Sequence, residues 1–118
     1  MKLWKESGEA WREIRPGVFN RVLYEEKFGL VFLVRFKKGA SYPSHNGAVD
    51  HLGILVRGEG IFDVGTRKTS FREGDSYFIK PEDDHGFTNT SNGESIMSEF
   101  FVPPREDSSK ISQKPEPI

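Results

Sequence analysis

The chain has 118 residues, a formal net charge of −1 at pH 7 and no cysteine. A chain of this length forms one domain with one hydrophobic core. The balanced charge gives no indication of binding to nucleic acid or to an anionic membrane. The absence of cysteine excludes disulfides, thiolate zinc sites and thiol nucleophiles.

Residues 1–17 are predicted to form an N-terminal arm. Trp4 and Trp11 lie among charged residues in this arm, and Pro16-Gly17 ends it. We expect a short helix or an irregular segment whose two Trp side chains cover one end of the domain. The chain has no apolar run long enough to span a membrane, and its first residues lack the apolar core of a signal peptide. A cytoplasmic protein is therefore expected.

Residues 18–104 are predicted to form an antiparallel β-sandwich or β-barrel. Apolar and polar residues alternate here as they do in strands, and turns rich in glycine or charge separate the stretches. The predicted strands are VFNRVLY, LVFLVRF, HLGILVR, IFDV, TSF, SYFIK, HGFTN and SIMSEFFV. Pro43 disfavours helix, so a loop is predicted to carry residues 45–50. Residues 105–118 are polar and are predicted to be a disordered tail.

The three histidines of the chain are the candidate metal ligands. Strand alternation places His51 on one face of HLGILVR and only apolar side chains on the other. If the histidine faces of the strands point inward, His45, His51 and His85 can meet at one metal ion. A single histidine is more often a hydrogen-bonded structural residue, so their arrangement carries the prediction. The apolar opposite face needs a cover, such as another sheet or another subunit, and a second subunit would make the protein a homodimer.

The sequence around the first two histidines resembles the first motif of the cupin superfamily, which reads G, five residues, H-x-H, three or four residues, E, six residues, G. Gly39, His45 and Gly58 are in register with it. Gly47 stands where the motif has its second histidine, and His51 stands where it has glutamate. The resemblance therefore implies a site with an altered ligand set.

The sequence around the third histidine resembles the second cupin motif. Gly74, His85 and Asn89 match it, while Lys80 and Glu82 replace its proline and glycine. The resemblance implies a double-stranded β-helix, or jelly roll, holding a divalent transition metal. Three imidazoles suit such a metal, and the sequence does not separate Fe, Ni, Zn, Mn and Cu.

The stretch SEFFVPPRED resembles the end of KdgF-type cupins, which convert unsaturated monouronates to linear keto sugars. On that resemblance Glu99 stands at the position of a catalytic Asp, Phe101 matches a Phe, and Arg105 matches an Arg that would bind a substrate carboxylate. Alternation independently turns Glu99 inward, where a carboxylate needs a partner such as Arg35 or Arg105.

The functional prediction is a metal-dependent cupin that acts on a small sugar acid or keto compound by isomerase- or lyase-like chemistry. In it, the three histidines hold the metal and Glu99 moves a proton. An Fe-dependent dioxygenase and a cupin that binds a small ligand without turnover are the alternatives.

Overall fold

The computed structural model describes residues 11–27, 29–45 and 50–101, and within these residues the chain forms strands and turns without a helix. The strands are β1 (Arg12–Arg15), β2 (Val18–Glu26), β3 (Gly29–Phe36), β4 (Ser41–His45), β5 (His51–Arg57), β6 (Glu59–Val64), β7 (Arg67–Arg72), β8 (Ser76–Ile79), β9 (His85–Asn89) and β10 (Ser95–Phe101). In these ranges no helix is long and apolar enough to cross a membrane. The predicted all-β class is confirmed.

The strands form two antiparallel sheets. The larger sheet has six strands in the order β1-β2-β3-β10-β5-β8, and the smaller has four in the order β4-β9-β6-β7. Between them lies an apolar core that includes Phe32, Phe36 and Leu55, all fully buried. Every inward-facing side chain of β10 is buried as well, which confirms the face predicted for Glu99.

Two strands were not predicted from the sequence. The segment Ser41–His45 was predicted to enter a loop, yet it pairs with β9 as an edge strand. An edge position tolerates Pro43 because the missing N–H removes no bond from the ladder, and the register shifts between Tyr42 and His45. Likewise Arg12–Arg15 is a strand that pairs with β2, and not a helix or irregular segment.

Asn89 fastens the end of β9 that is remote from His85. Its side-chain amide donates hydrogen bonds to the backbone carbonyls of Phe36, Lys37 and Gly93 at distances of 2.8 to 3.1 Å. Its side-chain oxygen accepts a hydrogen bond from the Ser95 hydroxyl at 2.6 Å. This buried amide therefore joins both sheets and fixes the strand on which His85 lies.

Several predicted features lie outside the described residues. These are Trp4, Gly47, Pro103-Pro104, Arg105 and the tail over residues 105–118. Trp11 is described, and its ring lies under the Arg35 guanidinium at 4.5 Å from the ring centroid.

Candidate metal centre and a buried carboxyl group

The structure brings the three histidines into one cluster inside the barrel. His45 ends β4 and His85 begins β9, and the two residues are direct partners in the β4–β9 register. Their ring centroids lie 4.4 Å apart, and the His85 and His51 centroids lie 5.1 Å apart. His51 and His85 are both buried.

Backbone carbonyls fix the tautomers of His45 and His85. Nδ1 of His45 lies 2.9 Å from the Pro43 oxygen, and Nδ1 of His85 lies 3.0 Å from the Asp83 oxygen. A carbonyl only accepts, so each Nδ1 carries the proton and each Nε2 exposes a lone pair. Both Nε2 atoms are buried, with no hydrogen-bond partner among the described residues. Imidazoles that bind a metal through Nε2 are commonly oriented by such a hydrogen bond from Nδ1–H to a backbone carbonyl.

The surroundings also keep these two imidazoles neutral. Burial lowers the pKa of His45, and the nearby positive charge of Arg15 lowers it further, although the Pro43 hydrogen bond and Asp84 act in the opposite direction. Burial lowers the pKa of His85 in the same way, against the hydrogen bond to Asp83. Neutral imidazole is the form that binds a metal ion.

Gly86 allows the close approach of β4 and β9 that places His45 beside His85. A Cβ atom added to Gly86 would lie 2.8 Å from both the Ser44 nitrogen and the Tyr42 oxygen, which are backbone atoms with no freedom to yield. The residue next to His85 must therefore lack a side chain for this pairing to form.

Glu99 is fully buried beside the histidine cluster, on β10. Tyr77, on β8, donates a hydrogen bond from its hydroxyl to Glu99 Oε2, and His51 Nε2 lies 3.4 Å from the same oxygen. Glu99 Oε1 has no hydrogen-bond partner among the described residues. Burial raises the pKa of Glu99 to about 8, while the Tyr77 hydrogen bond acts to lower it. At neutral pH the carboxyl group is therefore largely protonated.

Arg35, one of the two arginines expected as a partner of Glu99, is not its partner. Arg35 does not reach it, because its guanidinium lies on the other face of the sheet, 3.5 Å from the Glu94 carboxylate. Tyr77, the observed partner, was not recognised. The sequence feature that could have indicated Tyr77 is Gly53, its direct partner in the β5–β8 register. A Cβ there would lie 2.1 Å from the Tyr77 ring, so the strand glycine marks where the ring crosses inward.

The donor atoms of the cluster fit a transition metal ion by their chemistry, without forming a complete ligand set. Within the described residues, no group of three or more His, Cys, Asp or Glu side chains has the arrangement of a preformed metal site. The Nε2 atoms of His45 and His85, which have no partner in the described part of the chain, are nonetheless suitable ligands, and His51 and Glu99 lie beside them.

A small cavity lies against the cluster. Its volume is about 10 Å³, which is near the least that holds one water molecule. It is lined by Phe36, Tyr42, His45, Phe62, Tyr77, His85, Gly86, Phe87 and Met97. The Phe101 ring packs edge-on against His51, with 5.2 Å between centroids and 70° between the ring planes, and so supports that imidazole.

The chain and its fold are similar to known proteins. The sequence model of the cupin domain matches residues 32–102. The structure of an RmlC-like cupin from Shewanella frigidimarina NCIMB 400 is similar with a TM-score of 0.73 and 27% identity, over 86% of this chain and 92% of that chain. KdgF from a Halomonas species is similar with a TM-score of 0.74 and 22% identity, over 82% of this chain and 90% of that chain.

A predicted oxalate decarboxylase from Thermotoga maritima is also similar, with a TM-score of 0.66 and 20% identity over 73% of this chain and 80% of that chain. The two structures with identities of 22% and 20% show the fold alone. Together the similarities confirm the predicted jelly-roll barrel.

Proposed function

This chain belongs to the cupin domain family, and on that premise we propose that it is a metal-binding cupin that acts on a small sugar acid or keto compound. One observation carries the proposal. The Nε2 atoms of His45 and His85 are buried and have no partner among the described residues, and the raised-pKa carboxyl group of Glu99 lies within the same cluster. Perturbed ionisable groups of this kind concentrate at functional sites.

In the proposal, His45, His51 and His85 hold one divalent transition metal ion, for which Fe, Ni, Zn, Mn and Cu are the candidates. When bound, the metal polarises a carbonyl or hydroxyl oxygen of the substrate. His51 packs against Phe101, and its Nε2 lies 3.4 Å from Glu99 Oε2. Glu99 thus lies beside one of the residues that would hold the ion, without being required as a ligand.

Glu99 is the proposed proton-transfer group. Tyr77 donates to Oε2 and fixes the orientation of the carboxyl group, so that Oε1 is the oxygen left for exchange with a substrate. A carboxyl group with a pKa of about 8 holds a proton at neutral pH and gives it up readily, as an acid–base catalyst must. Tyr77 is a positioning residue in this scheme. Arg105, which lies outside the described residues, is proposed from its sequence position to bind a substrate carboxylate.

Uronate linearisation is the reaction class proposed first, because it follows from the resemblance of SEFFVPPRED to the end of KdgF-type cupins. The second candidate function is ligand or metal binding without turnover. Two observations count against turnover: the cavity of about 10 Å³ does not admit a whole sugar to the histidines, and the described part of the chain holds no complete ligand set for a catalytic metal.

We further propose that the protein is a homodimer and acts in the cytoplasm. The outer face of the six-stranded sheet exposes Leu52, Ile54, Val56 and Phe78, and a groove of about 610 Å³ crosses it. The four side chains are uncharged, so a second copy can cover them through the same face, as in a two-fold interface, without unpaired charge.

Turnover of unsaturated monouronates by the metal-loaded protein tests the proposal. We expect Glu99→Gln to lower kcat by about 10²- to 10⁴-fold, as removal of an acid–base catalyst does, while metal content stays unchanged. The matched control is Glu73→Gln, which removes an exposed acid and should leave kcat unchanged.

The outcomes separate the candidate functions. Full activity in Glu99→Gln would contradict the proton-transfer role. If the metal-loaded wild type binds uronates without turning them over, the binding function replaces the enzymatic one. Consumption of oxygen with another substrate would instead identify a dioxygenase.

A further inference from the structure

Arg15 lies over an aromatic side chain that leads to the histidine cluster. Its guanidinium carbon is 4.7 Å from the centroid of the Tyr42 ring. The Tyr42 ring is in turn 4.4 Å from the His45 ring and lines the small cavity. Arg15 is exposed, while Tyr42 is buried. The three side chains therefore form a continuous path from the surface to the candidate metal ligands.

The turn between β1 and β2 places Arg15 there. Gly17 has a φ of +77°, and a Cβ on it would lie 2.9 Å from the Ala40 side chain. Its carbonyl accepts a hydrogen bond of 2.8 Å from the Lys37 nitrogen. The turn is thus fixed against the segment that precedes β4, and β1 carries Arg15 to the other sheet's edge strand, where Tyr42 lies.

The charge of Arg15 is not neutralised by the neighbouring acid on its own strand. The Glu13 carboxylate accepts a hydrogen bond from the Gly17 backbone nitrogen at 3.0 Å. Among the described residues no carboxylate forms an ion pair with Arg15. A guanidinium stacked on a ring keeps its edge free, and that edge binds a carboxylate through two parallel hydrogen bonds.

The size of the cavity determines how a ligand would lie. A volume of about 10 Å³ admits one or two atoms of a ligand to the histidines. The rest of a sugar acid must remain outside this cavity, and the charge of Arg15, which lies over the Tyr42 ring, is close enough to act on His45. Both a negative charge, that of Asp84, and a positive charge, that of Arg15, act electrostatically on His45. Arg15 supplies the positive charge on the β4 side.

We propose that Arg15, held over Tyr42 beside His45, is a binding residue for the carboxylate of an acidic ligand. The inference deepens the proposed function and rests on it for the class of ligand. It assigns recognition to a residue that no motif in the sequence indicated, in addition to the position of Arg105. Arg15 acts in binding and is given no part in proton transfer.

The test measures binding of galacturonate, with uncharged galactose as the comparison, to the full-length metal-loaded protein by calorimetry. We expect Arg15→Met to weaken galacturonate binding by about tenfold or more, which is the effect of losing a charge-assisted hydrogen-bonded pair. Arg15→Lys retains the charge without the planar guanidinium, so its affinity for galacturonate should lie between those of wild type and Arg15→Met. Arg57→Met is the matched control, because Arg57 is exposed at the far end of β5 from His51.

Equal galacturonate affinity in wild type and Arg15→Met, or no preference of the wild type for galacturonate over galactose, would overturn the inference. Failure of the proposed function has a different signature. The wild type would then bind galacturonate in an Arg15-dependent manner without turning over unsaturated uronates. Conversely, turnover with an unchanged KM in Arg15→Met would retain the function and remove Arg15 from it.

Discussion

Glu99 shows how one buried side chain links chemistry to stability. Its carboxyl group accepts a hydrogen bond from Tyr77 and lies 3.4 Å from a His51 nitrogen, with no exposed surface. Burial favours the protonated form, which raises its pKa to about 8 from an ordinary value of 4.5. The same shift that suits proton transfer therefore makes the fold sensitive to pH.

The sign of that sensitivity follows from proton binding. Between pH 4.5 and about 8 the folded chain keeps the Glu99 proton while the unfolded chain has lost it. The free energy of unfolding must fall as pH rises through this window, by a few kcal/mol in total, and then level off above the folded-state pKa. Glu99→Gln lacks this contribution, so its stability relative to wild type should increase from pH 5 to pH 8.

Urea unfolding of both proteins in the presence of a chelator measures that difference. Glu73→Gln serves as the control, because it removes an exposed carboxyl group and should leave the pH dependence of wild type unchanged. Parallel curves for Glu99→Gln and wild type would show that the carboxyl group is not held protonated by burial.

At the residue scale, the sequence predicted the positions that follow from strand alternation and motif spacing. His51, His85 and Glu99 all face inward as expected. Tyr77 and Arg15 were missed because their roles depend on pairings that alternation does not reveal. Tyr77 reaches Glu99 across Gly53, and Arg15 reaches Tyr42 from the other sheet. Sequence spacing specifies the face of the strand on which a side chain lies, but it does not specify which side chains of other strands that side chain contacts.

At the scale of elements, the pairing of β4 with β9 determines whether His45 and His85 can share a ligand. The sequence placed His45 in a loop because Pro43 disfavours helix. In the structure that proline occupies an edge strand, and the register irregularity around it turns His45 towards His85. The eight predicted strands, by contrast, follow a simple two-residue period and were recovered.

Gly86→Ala tests the importance of this pairing without changing a ligand. The added methyl group would collide with the backbone of Tyr42, Pro43 and Ser44, so β4 must move away from β9. We expect a loss of stability of about 1–3 kcal/mol and a tenfold or larger loss of metal affinity. Thermal unfolding and competition with a chromogenic chelator measure the two effects.

Gly93→Ala is the matched control, since a Cβ there meets nothing within 4 Å. It should change neither quantity appreciably. If Gly86→Ala lost stability but bound metal with wild-type affinity, the distance between His45 and His85 would not control the site.

At the scale of the whole molecule, two unequal sheets enclose the site, and the outer face of the larger one is apolar where β5 and β8 lie side by side. That face was predicted from the alternation of HLGILVR, and its side chains are 37% to 45% exposed in β5, with Phe78 of β8 at 53%. A patch of this kind on a small domain marks a contact surface. The homodimer remains a prediction, because the fold of one chain does not determine which molecule covers these apolar side chains.

Sedimentation velocity tests the dimer directly. We expect wild type to sediment as a dimer at micromolar concentration, and Ile54→Lys and Phe78→Lys to sediment as folded monomers because each buries a charge in the interface. Val64→Lys is the control, because Val64 is similarly exposed, at 47%, but lies on the smaller sheet. A monomeric wild type would contradict the dimer, as would unchanged dimerisation in both interface variants.

Elemental analysis of tag-free protein tests whether the histidine cluster binds a transition metal ion. The measurement compares wild type with the His45→Ala, His51→Ala and His85→Ala variants after equal exposure to metal. We expect about one ion per chain in wild type and a clear loss in His45→Ala and His85→Ala, because the buried Nε2 atoms of these histidines lack other partners among the described residues. Wild-type metal content in all three variants, or none in wild type after loading, would contradict metal binding by the cluster.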